Sequence, residues 1–314
     1  MEETRIPEQK FRWGYAVFIL ITLAILAFIV SVILSLFSGA DVESLSGNVA
    51  LIPIKGVIVG EDDSGSFIES SSSSQEIIKM IEKAQKNQNI RAIILEINSP
   101  GGSAVASEEI AEAVKKTNKT TVAWIRELGA SGAYWIASSS DHIVANRVSI
   151  TGSIGVIASY LEFSGFLQRY NISYERLISG KYKDIGSPFM ELSPEGKAIF
   201  QQDLDLIRDY FVSEVAKNRN MNKKDVDKIA NGLFYLGSQA KDFGLVDELG
   251  GKEDAIRYIE KKEGITAEIV EYKKSASLFE ILSKVMSRQS FFVGKGIGSS
   301  LLDKKVSSSV SIIT

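Results

Sequence analysis

The chain has 314 residues, a formal net charge of −3, no cysteine and a single histidine, His142. The lack of cysteine excludes disulfides, thiolate nucleophiles and cysteine metal sites, and one histidine excludes any multi-histidine metal centre. The charge balance gives no reason to expect nucleic acid as a partner, neither cofactor nor metal is expected, and the length fits one large domain or two smaller ones.

Trp13 to Phe37 holds no charged residue and is dominated by Ile, Leu, Val, Phe and Ala. At about 1.5 Å per residue such a helix crosses a ~30 Å hydrocarbon core with some tilt. Trp13 and Tyr15 stand where an interfacial aromatic anchor belongs. Arg5, Lys10 and Arg12 precede the run, and no Lys or Arg follows until Lys55. The positive-inside rule then predicts a cytoplasmic N-terminus and an extracytoplasmic remainder, a single-pass protein of the cell membrane. The small residues Ser38-Gly39-Ala40 leave a cleaved signal peptide as the rival reading, but the run is longer than the usual apolar core of such a peptide.

After a short polar linker, Val49–Ile54 and Gly56–Val59 read as paired or bent strand pieces, with Pro53 marking an edge or bulge. Ser64 to Ser74 is serine-rich and predicts a flexible loop or the approach to a helix cap. Gln75–Asn87 has helical spacing. Ile90–Ile97 is a near-continuous apolar run, as expected of a buried parallel strand, broken by Asn98-Ser-Pro-Gly-Gly-Ser103. Ala104–Lys116 predicts an amphipathic helix and Thr120–Ile125 the next strand. A short helix follows Ser131, a short strand covers His142–Ala145, and Ser149–Val156 is a glycine-punctuated turn entering another strand. Leu161–Tyr170 predicts a helix and Ser173–Ile178 a strand. Ser193–Arg219 is a long helix with a Ser cap and Pro194 in its first turn. Lys223–Ala230, Ser238–Phe243 and Lys252–Glu263 predict three more helices, and Ala267–Tyr272 a last strand. The tail from Lys273 is rich in Ser and Lys, with one amphipathic piece at Leu278–Met286. Alternating strands and helices with short turns predict an α/β fold built on a mostly parallel sheet with surrounding helices.

In such sheets reactive groups gather at the carboxyl ends of the strands. Three glycine-containing junctions follow strands here: Ser99-Pro-Gly-Gly102, Gly129-Ala-Ser-Gly132 and Ser179-Gly-Lys-Tyr-Lys-Asp184. The first has no reactive side chain but exposes backbone N–H groups, as an oxyanion hole requires. The second offers the hydroxyl of Ser131 between two glycines, a nucleophile's place and equally an ordinary turn. The third offers Lys181 and Lys183. A serine hydroxyl needs a base; a histidine base could only be His142, and the obvious alternative is a lysine shielded from water, because burial lowers its pKa. Lys183, followed by Asp184 and the apolar Ile185, is compatible with that.

Together these junctions resemble the signal peptide peptidase A family, the S49 serine peptidases of the ClpP/crotonase fold. The matching pieces are Asn98–Ser103, Gly129–Tyr134, Thr151–Val156, Ser179–Asp184 and Gly244–Gly250. The anchor and length are similar to the short, single-domain form. The resemblance implies Ser131 as nucleophile and Lys183, 52 residues further on, as general base. It implies Ser153 as the residue orienting the lysine, and the backbone N–H groups of Gly102 and Gly132 as the oxyanion hole. It leaves Lys181 a surface residue and His142 structural. One departure is Ala133, where many members carry glycine. The activity implied is hydrolysis of remnant signal peptides and other membrane-associated peptides by a Ser–Lys dyad in a ring-like homo-oligomer. A crotonase-type acyl-CoA enzyme and a non-catalytic anchored scaffold are the alternatives. The division expected is a cytoplasmic N-terminus at 1–12, an anchor at 13–37, a linker at 38–47, a ClpP/crotonase-like peptidase domain at 48–272 and a tail at 273–314.

Overall fold

A computed structural model of the chain describes residues 13–39, 47–61 and 71–273. The cytoplasmic N-terminus, most of the linker and nearly all of the tail, with its amphipathic piece, lie outside the described residues. Helix α1 (Trp13–Gly39) is 27 residues long and carries no charged residue, which is about 40 Å of helix. Its side chains are described at positions 14, 15 and 17–31 only. Among the described residues no helix is long and apolar enough to cross a membrane.

The rest of the described chain wraps one nine-stranded sheet. Strand β1 (Val49–Val59) and the short β2 (Ser71–Ser73) lead into helix α2 (Ser74–Lys86). Strand β3 (Ala92–Gly102) and helix α3 (Ala104–Lys116) follow, then β4 (Thr120–Ala130) and helix α4 (Gly132–Ser138). Strands β5 (His142–Ala145) and β6 (Ile150–Gly152) precede the short helix α5 (Ser164–Arg169) and the long α6 (Pro194–Asn218). The chain closes with α7 (Lys223–Ile229), β7 (Phe234–Leu236), α8 (Gly237–Asp242), β8 (Glu248–Leu249), α9 (Lys252–Glu263) and β9 (Ile269–Glu271). The main order is β2-β1-β3-β4-β5-β8, all parallel. β9 adds to the lower part of β1, and β6 adds to the upper part of β4 with antiparallel β7 outside it.

The mostly parallel sheet is therefore as expected, and so is its reason. Crossover helices cover both faces, so β3 is buried without alternation from Ala92 to Ile97, its one charged residue, Glu96, being paired with Lys55 and Arg126. One face packs Ile54, Ile97, Ile110, Tyr134 and Phe211 into the larger core. The other packs Leu51, Ile94, Val122 and Val144 under α9 through Ala255 and Ile259. Each fully buried Ile or Leu contributes roughly 1.5–3 kcal/mol. At α6 the cap behaves as its residue type dictates: the Ser193 hydroxyl accepts from Gly196 N at 3.0 Å, with Pro194 next to it in the first turn.

Several elements differ from expectation. The two N-terminal strand pieces are one strand whose register shifts between Lys55 and Val57, so the irregularity lies at Gly56 (φ +70°) rather than at Pro53. Pro53 does lie on an edge, in the stretch of β1 that β9 and β2 leave unpaired. Part of the serine-rich loop is strand β2, its Ser72 hydroxyl bonding both N–H and C=O of Lys55 at 2.8 Å. The helix expected at Leu161–Tyr170 shrinks to α5, which buries none of its residues, and Ser173–Ile178 forms no strand. That segment has no neighbouring strand to take up its N–H and C=O groups. Strands β7 and β8 are too short for periodicity to reveal.

Candidate active site

The site forms where β3 and β4 end. The Ser103 N–H donates to the Ile58 carbonyl at 2.9 Å. Gly102, the last residue of β3, lies opposite Ile58 of β1. Gly101 has φ +95°, and a Cβ there would lie 2.7 Å from Gly132 N and 2.9 Å from Ser131 Cβ. Only glycine lets this loop approach the serine turn so closely. The fully buried Ser99 hydroxyl accepts from Gly101 N at 3.1 Å and sets the angle of that peptide. A Cβ built on Gly132 would lie 3.5 Å from Gly102 N and would strike the Ser107 hydroxyl beneath. The two glycines are therefore side by side.

Ser131 sits at the junction of β4 and α4 with φ 54° and ψ −127°. A non-glycine residue in so sparsely populated a region costs of order 1–3 kcal/mol and persists only when its surroundings over-determine it. They do so here. Its N–H donates to Gly152 O at 2.8 Å, and its own carbonyl accepts from Tyr134 N at 2.8 Å and Trp135 N at 3.0 Å. Every residue of α4 is buried. The Tyr134 hydroxyl donates to Leu245 O at 2.8 Å, and Trp135 stacks on Phe211 with centroids 4.8 Å apart. Ala133, the departure from the family pattern, is fully buried in the first turn of that helix.

β6 runs beside the serine turn, pairing Ala130 with Gly152. The Thr151 hydroxyl donates to Gly129 O at 2.7 Å. Ser153 follows immediately with φ 51°, its N–H donating to Leu233 O at 2.9 Å and its hydroxyl to Gly232 O at 3.2 Å. Ser131, Gly132, Gly102 and Ser153 are thus brought to one place. Ser99, Thr151 and the carbonyls of Gly232 and Leu233, which support it, were not among the expected site residues. Ser99 and Thr151 do stand inside the motifs Asn98–Ser103 and Thr151–Val156, and that position was the available signal.

No hydrogen bond among the described residues joins Lys183 to this group. The lysine is exposed, and its ammonium makes no ion pair or hydrogen bond with any described residue. The shielding that a lysine base requires is not supplied by the described residues of one chain. Lys181 is different. Its ammonium binds Glu195 at 2.8 Å and the Tyr182 hydroxyl at 2.9 Å, and these partners hold its pKa well above the usual lysine range, chiefly through Glu195. It is a charged surface residue unsuited to accepting a proton. His142 opens β5 at the opposite end of the sheet, stacked on Tyr258 at 3.8 Å with Nε2 3.3 Å from Glu248. Its surroundings are structural.

Among the described residues no group of three or more His, Asp or Glu side chains could hold a metal. A cleft of about 510 Å³ opens over β4 and β5, lined by Trp124, Arg126, Asn146 and Gly251 among others, and it does not include Ser131. What the serine site can do chemically follows from its parts. A hydroxyl on a strained turn, beside backbone N–H groups of two adjacent glycines, is arranged for acyl transfer through a tetrahedral oxyanion.

Comparison with known proteins agrees. The chain matches peptidase family S49 over residues 113–266 and the Clp protease family over 65–159. A protein of Methanocaldococcus jannaschii named as a protease is 34% identical over 256 residues, covering 80% of this chain and 81% of that one. A protein of Enterococcus faecium named as a signal peptide peptidase SppA is 35% identical, covering 74% of this chain and 68% of that one. The solved structure of a mutant of the 1510-N membrane-bound stomatin-specific protease overlaps 74% of this chain and 100% of its own, with a TM-score of 0.47 at 16% identity. A strained serine beside a glycine pair, carried on a parallel sheet and coupled to the similarities in sequence, places the chain in peptidase family S49.

Proposed function

We propose that this serine peptidase is a membrane-anchored endopeptidase in which Ser131 attacks the peptide carbonyl and Lys183 is its general base. The observation that carries the reading is the strained Ser131 turn packed against Gly101 and Gly102. A neutral Lys183 amine takes the proton from the Ser131 hydroxyl as the oxygen bonds to the carbonyl carbon. The N–H groups of Gly102 and Gly132 receive the oxyanion. The lysine ammonium then returns the proton to the leaving amine as the C–N bond breaks, and the amine next activates water to hydrolyse the acyl-enzyme. Ser153 orients the lysine. The substrates are remnant signal peptides and other membrane-associated peptides. The relative named as a signal peptide peptidase supports that class.

The anchor reading rests on the uncharged sequence of α1 and the basic residues preceding it. It holds the catalytic domain at the outer face of the membrane, where cleaved signal peptides remain. The shielding of Lys183 is assigned to a homo-oligomer, ring-like in form. The stretch carrying the lysine exposes apolar side chains that one chain leaves in water, with Leu177 99% and Ile157 88% exposed. Patches of this kind mark contacts with another protein surface.

The test is hydrolysis of detergent-solubilised signal peptides. Ser131→Ala and Lys183→Ala are each expected to abolish it while circular dichroism stays that of the wild type. Full activity in either variant overturns the reading.

A further inference from the structure

The turn that carries Lys183 is more tightly specified than its exposure implies. It runs between two glycines with positive φ, Gly180 (+102°) and Gly186 (+82°). Backbone bonds brace it: Lys183 N to Gly180 O at 3.1 Å, Ile185 N to Tyr182 O at 3.2 Å and Ser187 N to Asp184 O at 2.9 Å. Both charged neighbours of Lys183 in this turn are occupied. Lys181 is held by Glu195 at the start of α6, which also accepts from the Tyr182 hydroxyl at 2.6 Å. Asp184 is held by Arg176, through Nε to Oδ2 and through Nη2 to Oδ1 at 2.6 Å. Lys183 between them has no partner among the described residues.

We propose that Arg176 is a positioning residue for Lys183, taking Asp184 in a two-point ion pair so that the neighbouring carboxylate does not capture the lysine amine. The proposal rests on the reading of Lys183 as general base. A lysine accepts a proton only when neutral, and a bare carboxylate one residue away favours the charged ammonium. Arginine suits this task because its planar fork matches both carboxylate oxygens at once, which a lysine ammonium does not. The guanidinium holds the Asp184 carboxyl below the usual carboxylate range, so the pair stays formed across the neutral region. The remaining groups facing the turn leave the balance unchanged. Lys181 and Glu195 neutralise one another, Tyr182 donates to Glu195, and Tyr174 lies beside Ser187, their hydroxyl oxygens 3.5 Å apart.

The experiment measures kcat and KM against pH for the full-length protein in detergent, using a signal-peptide substrate. For Arg176→Ala the ascending, acid-side limb of the kcat/KM profile, set by deprotonation of the base, is expected to move up by about one unit, lowering kcat/KM at neutral pH about tenfold with KM nearly unchanged. In Arg176→Ala/Asp184→Asn, where the carboxylate is also neutral, the limb is expected to return to its wild-type position. A merely structural ion pair predicts no such return. A wild-type limb in Arg176→Ala, or a double variant that keeps the displaced limb, overturns the proposal. Should Arg176→Ala fail to fold, Asp184→Asn alone decides: its limb is expected unmoved or lower, and a rise overturns the proposal. Lys183→Ala is run alongside. Activity in that variant refutes the general-base reading itself, whereas an inactive Lys183→Ala with an unmoved Arg176→Ala limb refutes only the role of Arg176.

Discussion

The backbone amide of Ser131 donates to the carbonyl of Gly152 at 2.8 Å, tying the serine turn to the residue just before Ser153. Two serines with positive φ, 54° and 51°, are thereby fixed to one another through a single peptide. The expected consequence is that strain at Ser131 is stored rather than relaxed. Ser131→Gly should be more stable than Ser131→Ala by about 1 kcal/mol, because glycine adopts this conformation without a Cβ penalty. Denaturant midpoints for the two inactive variants check this, and an alanine variant of equal or greater stability shows the turn to be unstrained.

Gly102 is constrained by backbone, not by a yielding side chain. A Cβ there would strike the carbonyl oxygen of Ile58 on β1. Gly102→Ala should therefore displace the loop, costing about 1–3 kcal/mol of stability and about a hundredfold or more in kcat through the misplaced oxyanion donor. Gly60→Ala, where no described residue lies within 4 Å of the added carbon, is the matched control and should leave both quantities nearly unchanged.

Asp247 and Arg219 form the ion pair that closes the sheet's far edge. Arg219 Nη1 lies 3.0 Å from Oδ2, Arg219 also binds Gly244 O at 3.1 Å, and Asp247 Oδ2 accepts from Ile143 N at 2.8 Å. Burial acts to raise the Asp247 pKa, but the Arg219 guanidinium outweighs it and the net shift is downward. A carboxylate whose folded pKa is depressed contributes stability above its unfolded pKa of about 3.9, and loses it as pH falls through the folded value. The stability gap between the wild type and Asp247→Asn is thus expected to be full at pH 7 and to close below about pH 4. Thermal unfolding of both proteins between pH 7 and pH 3 measures it, and a gap independent of pH contradicts the assignment.

Leu177 and Ile157 are almost wholly exposed on the stretch that carries Lys183. If a second copy covers them, Leu177→Glu and Ile157→Glu should each shift the detergent-solubilised protein to smaller assemblies and lower activity together. Light scattering coupled to size-exclusion chromatography reads the first effect. Unchanged mass in both variants removes this surface from the interface.

The core elements were legible because their physics is local. A near-continuous apolar run marks β3, helical spacing marks α2, and Ser193 with Pro194 marks the start of α6. The stretch from 157 to 189 misled for the same reason: its apolar residues repeat as a helix or strand would, yet no element of the described chain packs on most of them. Periodicity tells which residues seek cover and not what provides it.

From the sequence alone came the residue types and their order: a serine between glycines after a strand, a glycine pair after the strand before it, and no cysteine or second histidine to supply another apparatus. Tertiary structure decided the rest. It set Ser131 at φ 54° by anchoring α4 in the core and β6 alongside, and it put Gly102 beside Gly132 by pairing β3 with β4. It also separated Lys181 from Lys183, two residues that look alike in the chain, by giving one a carboxylate and leaving the other without a partner among the described residues. These outcomes depend on groups far apart in the chain meeting in space, and no local pattern encodes which groups those are.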